Sequence, residues 1–589
     1  MSEQSGQPEQ AGDSIALRAQ KLGQDLLEDV GLPFTQEALD LAAELYIDAP
    51  DAFERLAEDV KASNANTNEW RKRVRQRSVE LRAENRRNTD PRPTIEDTDD
   101  IPRTVRDTFE SLASISIYQR GGELVEVVER PDGAQVAPVS RPRLRELMAE
   151  AARWERYTKD GIKPMKPPTA IVDVIHARGQ WPFPELAHIV EGACFLADGE
   201  VLFREGYYPD HGIYVRHGAD VDPARLASPT QEDAEAAFEM LRDLLVDFEL
   251  DASVPGGRAA QESAWVACPL TILARTAIDG ATPLHLMDAN RPRTGKTRLG
   301  EMSVEITTGN APTPQAAPAG RDSDSEMGKT ITGIARAGLP VVFFDNVKGK
   351  LGGSSLELAI TAKNWSGRIL GESRQYQGRL QVTWIATSNN AQLTPDMHGR
   401  TLICRIKSDH EAPEERTGFT HPYIMRHIRE HRRRYLTALL VILRAWHLAG
   451  RPSYELTPWG SFEEWGQIIR HAIIFAGGVD PCLARQALED ADSETRAMKS
   501  VLSQWPEGVS YTSSDLAKGM KDGSLPNSQG MSGSHGLVDA LQEALPTSNA
   551  RGISYALGSW KGRVVDGREL VREKDRYRDV YVWAVRGVG

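Results

Sequence analysis

The stretch Asp288–Glu301, DANRPRTGKTRLGE, decides how the rest of the chain is read. Its centre, Gly295-Lys296-Thr297, ends the phosphate-loop pattern G-x-x-x-x-G-K-[ST]. In that pattern backbone amides at a helix start cradle phosphate, the lysine neutralises it, and the hydroxyl meets Mg2+. Counting back from Gly295, Asn290 stands where the first glycine belongs. That glycine makes a tight turn, and asparagine is the side chain that next best tolerates a positive φ, so Asn290 is expected in such a turn. The flanks fit: TPLHLMD (282–288) reads as an apolar strand and TRLGEMSVEIT continues as a helix. Asn290, Thr294, Gly295, Lys296 and Thr297 are the candidate ATP-binding residues, with Thr297 a Mg2+ ligand.

Three further segments follow in order. LPVVFFDNV (339–347) is a continuous apolar run, as a parallel strand buried on both faces requires. It ends in Asp345, 49 residues after Lys296, where a carboxylate would share the Mg2+ with Thr297. The next residue, Asn346, carries an amide and cannot act as a general base, which leaves Asp324 and Glu326 as candidates. VTWIATSNN (382–390) is another buried strand, and Asn389, 44 residues after Asp345, is the candidate to orient water against the terminal phosphate, with Asn390 as its alternative. Arg400, in MHGRTLICRI, is the candidate arginine finger, acting on a neighbouring subunit, with Arg405 behind it. Between them WSGRILGESRQYQGRLQV (365–382) reads as a hairpin with Arg374, Gln375 and Tyr376 near its tip, a combination of charge and aromatic surface suited to single-stranded DNA.

At 589 residues the chain is too long for one core. Its 40% hydrophobic and 26% charged residues are ordinary for a globular protein, and the acidic net charge of −13 excludes a global attraction to nucleic acid. Positive charge is clustered in three islands, 68–87, 426–435 and 551–578, a pattern that suggests contacts with a polyanion. Four scattered cysteines without C-x-x-C spacing argue against zinc sites and a disulfide framework. No apolar run spans a membrane and the first residues lack a signal peptide, so a cytoplasmic protein is expected.

The division expected from texture is a disordered tail (1–14), an N-terminal helical region with a basic helix (15–102) and an α+β accessory domain (103–250). A P-loop ATPase (251–410), a helical domain (411–500) and a winged-helix-like domain (501–589) follow. The accessory domain should hold a hairpin turning at Gly121-Gly122, and the last domain a β-ribbon with a turn near Asp566-Gly567.

The order and compactness of NRPRTGKT, VVFFDN, SGRILGESRQYQGRLQV, ATSNN and Arg400, all within about 110 residues, resemble the ATPase core of superfamily III helicases. This is the compact AAA+ branch found in replication proteins of viruses and mobile elements. ARTAIDGATPLHLMDANRPRTGKT, PEERTGFTHPYI and GSFEEWGQIIRHAIIFAGGVDP look closest to primase-helicase-like ATPases of prophages and integrative elements. The resemblance runs from about residue 105 to the C-terminus and implies a multidomain α/β protein with a central AAA+-type parallel sheet. It implies an ATP- and Mg2+-dependent ring helicase, a hexamer with single-stranded DNA in its channel, with duplex contact at the C-terminal domain as a further expectation. Lys296, Thr297, Asp345 and Asn389 would come from one subunit and Arg400 from the next. The family usually places a second acid after the aspartate, where this chain has Asn346; no zinc module or D-x-D strand marks a primase site, and primase activity is expected to be absent. The rival expectation is an ATP-switched initiator, helicase loader or defence ATPase that assembles on DNA without unwinding it, and a third is a scaffold that hydrolyses nothing.

Overall fold

The computed structural model describes residues 8–25, 29, 31–130, 133–158, 161–371, 374–410, 412–487, 493–525, 535–545, 547–561, 564–575 and 579–587. They form two compact units, residues 1–127 with 137–185, and residues 128–136 with 186–589.

The larger unit is built on five parallel strands: β1 (Leu284–Ala289), β2 (Pro314–Gln315), β3 (Val341–Val347), β4 (Thr383–Asn389) and β5 (Thr401–Ile406). Their order across the sheet is β2-β3-β4-β1-β5. Every residue of β1 and β5 is buried, including the polar His285, Asp288, Thr401 and Arg405, as strands covered on both faces require. Helices Lys296–Thr308 and Ser323–Ala337 make the crossovers that parallel pairing demands. The chain leaves β1 for the edge strand β2 and returns through β3 and β4, so β4 is inserted between β3 and β1. Register then aligns the strand ends: Ala289 faces Asn389, and Asp288 lies between Ser388 and Arg405. Near the end of β3 the pairing shifts through a bulge between Phe344 and Val347.

The core of the sheet continues without a break into helix Ile424–Leu448 and the segment around Trp465. The expected helical domain 411–500 is therefore not a separate body; its apolar faces are spent on the sheet's own core. Residues 498–585 do have their own core, around Leu502, Trp505, Leu541, Leu557 and Trp583. Four helices (Ser493–Gln504, Ser513–Asp522, His535–Ala544, Ala550–Trp560) precede a three-stranded antiparallel sheet, the winged-helix-like order. The left-handed pair Asp566-Gly567 turns Val564–Val565 into Arg568–Asp575, and the long ribbon pairs that strand with Val580–Gly587.

In the smaller unit, helices Gln36–Asp48, Pro50–Ala62 and Thr67–Thr89 pack round a stacked Phe53–Trp70 pair. The Gly121-Gly122 turn joins Tyr118–Arg120 to Glu123–Arg130 as expected. Three boundaries differ. A helix starts at Pro8, inside the expected tail, whose first seven residues lie outside the described ones. The limit expected at residue 102 falls within structure: Thr94–Glu96 pairs in parallel with Arg153–Glu155, and Asp100 caps helix Ile101–Leu112 by accepting from the Arg103 amide. The accessory region 103–250 is divided, because strands after Glu185 belong to the larger unit.

Candidate functional site

The carboxyl ends of β1, β3 and β4 lie side by side, the position where open parallel sheets present ligand-binding groups. At the end of β1 the chain turns into helix Lys296–Thr308 through Asn290–Gly295. The left-handed residues of this loop are Arg293 (φ 61°) and Gly295 (φ 95°), not Asn290. The expectation for Asn290 is thus corrected: its amide is used for pairing rather than for turning. Its side chain donates to the Ser408 carbonyl and accepts from the Ser408 amide, both at 2.9 Å, as a strand partner would. Its own amide donates to the Ile406 carbonyl at 3.2 Å, so the loop's start is fastened to the end of β5. Gly295 is held to glycine by φ and by space, since a Cβ there would meet the Phe248 ring at 3.0 Å. Thr294 donates to the Arg291 carbonyl at 3.3 Å, closing the loop on itself.

Lys296 and Thr297 begin the helix, so their amides are among those without intrahelical acceptors. Lys296 is buried, and desolvation holds its ammonium below the usual lysine range against the attraction of Asp345 and Asp288. The Thr297 hydroxyl donates to Asp345 Oδ1 at 3.0 Å, bringing the helix start and the end of β3 together. The same oxygen accepts from the Thr387 hydroxyl at 2.6 Å, and Thr387 in turn accepts from the Asn346 amide at 2.7 Å. Thr387 was not singled out in the sequence; an interior Thr of an apolar strand has no signal until β4 is known to lie beside β3.

Asn346 has φ 53° and an exposed side chain in the bulge. Asparagine tolerates this left-handed conformation better than Asp's longer homologue or any β-branched residue would, so its identity answers a backbone need. The substitutes proposed for a missing acid are occupied elsewhere. Asp324 accepts from the Ser354 hydroxyl and the Ser355 amide, which hold its carboxyl below the usual range, and Glu326 pairs with Lys329 at 2.6 Å.

Asn389 closes β4 with an exposed amide that makes no hydrogen bond among the described residues. Asn390, left-handed at φ 48°, takes the structural part: it donates to the Asn290 carbonyl at 3.1 Å and accepts from Arg405 at 3.1 Å. Arg405 is buried, with Nε 3.7 Å from Asp288 Oδ2. Asp288 is fully buried, and burial pushes its carboxyl up to about 6 against Arg405's attraction. The guanidinium behind the candidate finger is therefore a brace for the loop's foundations.

Arg400 lies elsewhere. It precedes β5, and its carbonyl accepts from the Leu284 amide at the start of β1. Six residues of parallel strand, about 20 Å, separate it from the edge that carries Lys296 and Asp345. Its side chain is half-buried and has no partner among the described residues.

The hairpin forms from Asn364–Arg368 and Gln375–Arg379. Arg374 and Gln375 are exposed near the connection, of which residues 372 and 373 lie outside the described ones. Tyr376 corrects the expectation: its ring is buried and its hydroxyl donates to the Ala335 carbonyl at 3.0 Å, while Trp365 on the facing strand donates to Thr332 at 3.0 Å. Both aromatics clamp the hairpin to helix Ser323–Ala337; the exposed apolar residue of the connection is Leu370. Several cations of two basic islands are engaged within the chain. Arg77 pairs with Asp40, Glu80 and Glu84, and Arg432 donates to the carbonyls that end helix Lys296–Thr308.

No known family matches the chain, and no curated protein matches it. Among solved structures it is similar to the apo A form of the NrS-1 C-terminal region (305–718), with 11% identity and a TM-score of 0.34, over 82% of this chain and 99% of that one. It is also similar to JCV helicase, with 13% identity and a TM-score of 0.19, over 47% of this chain and 74% of that one. For the inhibitor-bound JCV helicase the values are 14% and 0.18, over 38% and 63%. TM-scores of this size do not establish a shared fold. No helix among the described residues is long and apolar enough to cross a membrane.

Proposed function

We propose that the β1–β3–β4 edge binds ATP with Mg2+ and hydrolyses it, and that the chain is a ring-forming motor, a hexamer, that moves on single-stranded DNA in replication of a phage or mobile element. The observation that carries the reading is the Thr297–Asp345 hydrogen bond of 3.0 Å beside a buried Lys296. A hydroxyl and a carboxylate meeting in this way, with an ammonium alongside, form the hard-oxygen donor set that suits Mg2+ and a polyphosphate. When bound, Mg2+ supplies positive charge to the β- and γ-phosphate oxygens.

The chain's own groups divide the remaining work. The amides from Gly295 to Thr297 and the Lys296 ammonium hold the phosphates, and burial of Lys296 strengthens that attraction by excluding water. Thr387 orients Asp345, and Asn389, with its amide unengaged, faces the terminal phosphate to hold the attacking water. Arg400 sits too far along β5 to reach this edge of its own sheet, so it serves the edge of a neighbouring copy. Hairpins around residue 375 face the channel and transmit nucleotide state through helix Ser323–Ala337; the winged-helix-like domain contacts duplex.

One observation favours a second reading, an ATP-switched initiator or loader without unwinding. No acid follows Asp345, and Asp324 and Glu326 are engaged elsewhere. Strand displacement on a forked DNA by the full chain, with ATP and Mg2+, separates the two. The motor displaces strand and Lys296→Ala does not; ATP-dependent assembly on DNA without displacement selects the switch.

A further inference from the structure

The opposite edge of the sheet, where Arg400 stands, is more elaborately built than a surface arginine needs. Its backbone is fixed on both sides. The Arg400 amide donates to the Met397 carbonyl at 3.0 Å, its carbonyl accepts from Leu284, and Met397 is itself buried and also receives the Thr401 hydroxyl at 2.8 Å. Ahead of it, the Gly399 carbonyl accepts from the Trp459 indole N–H at 2.7 Å. The His398 carbonyl accepts from an Arg485 terminal nitrogen at 3.3 Å. Arg485 is in turn stacked on Trp459, its guanidinium carbon 4.1 Å from the ring centroid. Trp459 is wedged against Phe462 and edge-on to Trp465, so the platform rests on the core. Two consecutive carbonyls before Arg400 are thus each held by a side chain from a segment 60 or more residues away, and the two side chains hold each other.

We propose that Trp459 and Arg485 form a positioning platform that presents the Arg400 guanidinium to the nucleotide of a neighbouring copy. The inference rests on the reading of Arg400 as an in-trans group. Its physical content is pre-organisation: an arginine on a frayed loop must order backbone and side chain in each catalytic cycle, whereas one on a fixed backbone has only its side chain left to order. The platform holds backbone and leaves the Arg400 side chain without a partner among the described residues, which is the arrangement a group that serves another molecule requires. Neither Trp459 nor Arg485 touches the nucleotide in this scheme; they act through Gly399 and His398.

Mixed rings of full-length protein test it. Lys296→Ala subunits have a disabled nucleotide site but an intact Arg400 face; Arg400→Ala subunits have the reverse. Mixing the two inactive parents is expected to restore ATP hydrolysis at interfaces that pair an intact site with an intact face. Trp459→Phe, which keeps the ring and the stack but removes the N–H donor, is then added to one parent at a time. On the Lys296→Ala subunit, which donates Arg400, it is expected to lower the restored kcat about three- to tenfold, the range for one lost hydrogen bond, with KM within twofold. On the Arg400→Ala subunit, whose platform has no arginine to present, it has no such effect. Arg485→Met is expected to show the same side dependence. Equal loss on both sides, or no loss, overturns the platform while leaving the in-trans site standing; failure of the parents to complement overturns the in-trans reading itself. Thermal melts of each variant within a few degrees of its parent exclude unfolding as the cause.

Discussion

The two edges of the central sheet are built on opposite plans. At the carboxyl edge two hydrogen-bonded groups, Asn290 with Asn390 and Arg405, and Thr297 with Asp345 and Thr387, hold the strand ends and the loop over an apolar core. At the other edge, the backbone around Arg400 is fixed while its side chain has no partner among the described residues. Held strand ends make a pre-organised receptor, and an unpartnered guanidinium on a fixed backbone is free to serve another molecule. In the proposed function neither edge completes the chemistry alone, and the site is shared between two copies.

The largest break in this comparison is made at the donor edge. Arg400→Ala is expected to lower ATP turnover by roughly 10³–10⁵-fold, with nucleotide affinity in the absence of turnover nearly unchanged. Stopped-time hydrolysis assays beside calorimetric titration of a non-hydrolysable analogue check this; equal losses of binding and turnover would move Arg400 to its own chain's site.

Within the receptor edge, restoring the pattern's glycine is expected to harm the protein. Asn290→Gly removes both bonds to Ser408 and costs about 1–3 kcal/mol, seen in denaturant unfolding of the larger unit. A gain in stability would reinstate the turn as Asn290's purpose.

The sheet between the edges carries its own pH signature. His285 in β1 is buried, its ring nitrogens have no hydrogen-bond partner among the described residues, and burial pushes its pKa down to about 3. The folded state keeps it neutral, so its contribution is fully present above the unfolded value of about 6.5 and is lost as pH falls toward 3. At pH 5.5 the loss is about 1.4 kcal/mol. His285→Leu is expected to flatten the fall in melting temperature between pH 7.5 and 5.5; an unchanged slope would assign the acid sensitivity to other groups.

The smallest effect sharpens the role of Asn346. Asn346→Ala is expected to cost about 1 kcal/mol through its left-handed backbone, and Asn346→Gly close to nothing, with hydrolysis by the glycine variant within about twofold of the parent. A large loss of turnover in Asn346→Gly would return the role to the amide.

Much of this was legible in the sequence because it rests on local pattern. The unbroken apolar run at 341–344 and the mainly apolar segments 284–289 and 383–387 marked buried parallel strands, and polar residues at their ends marked the site. What stayed hidden depends on which strands become neighbours. Thr387 matters only because β4 is inserted beside β3, and Asn290 reads as a flawed glycine until β5 places Ser408 opposite it. Tyr376 was read as surface because a hairpin strand alternates, and single-sequence periodicity does not say which face meets a helix. The basic islands suggested a polyanion surface because some of their acidic partners, such as Asp40 for Arg77 and Glu305 for Arg429, are remote in sequence. The limits expected at residues 102 and 410 differ for the same reason: strand pairing near the first and the shared core across the second join segments remote in sequence.

The most direct test of the nucleotide site is calorimetric titration of the full chain with ATP and Mg2+, beside Lys296→Ala. The site predicts saturable, Mg2+-dependent binding approaching one ATP per chain, weakened tenfold or more in Lys296→Ala by loss of a charge-assisted contact. No binding by the parent protein, or equal binding by the variant, would contradict it.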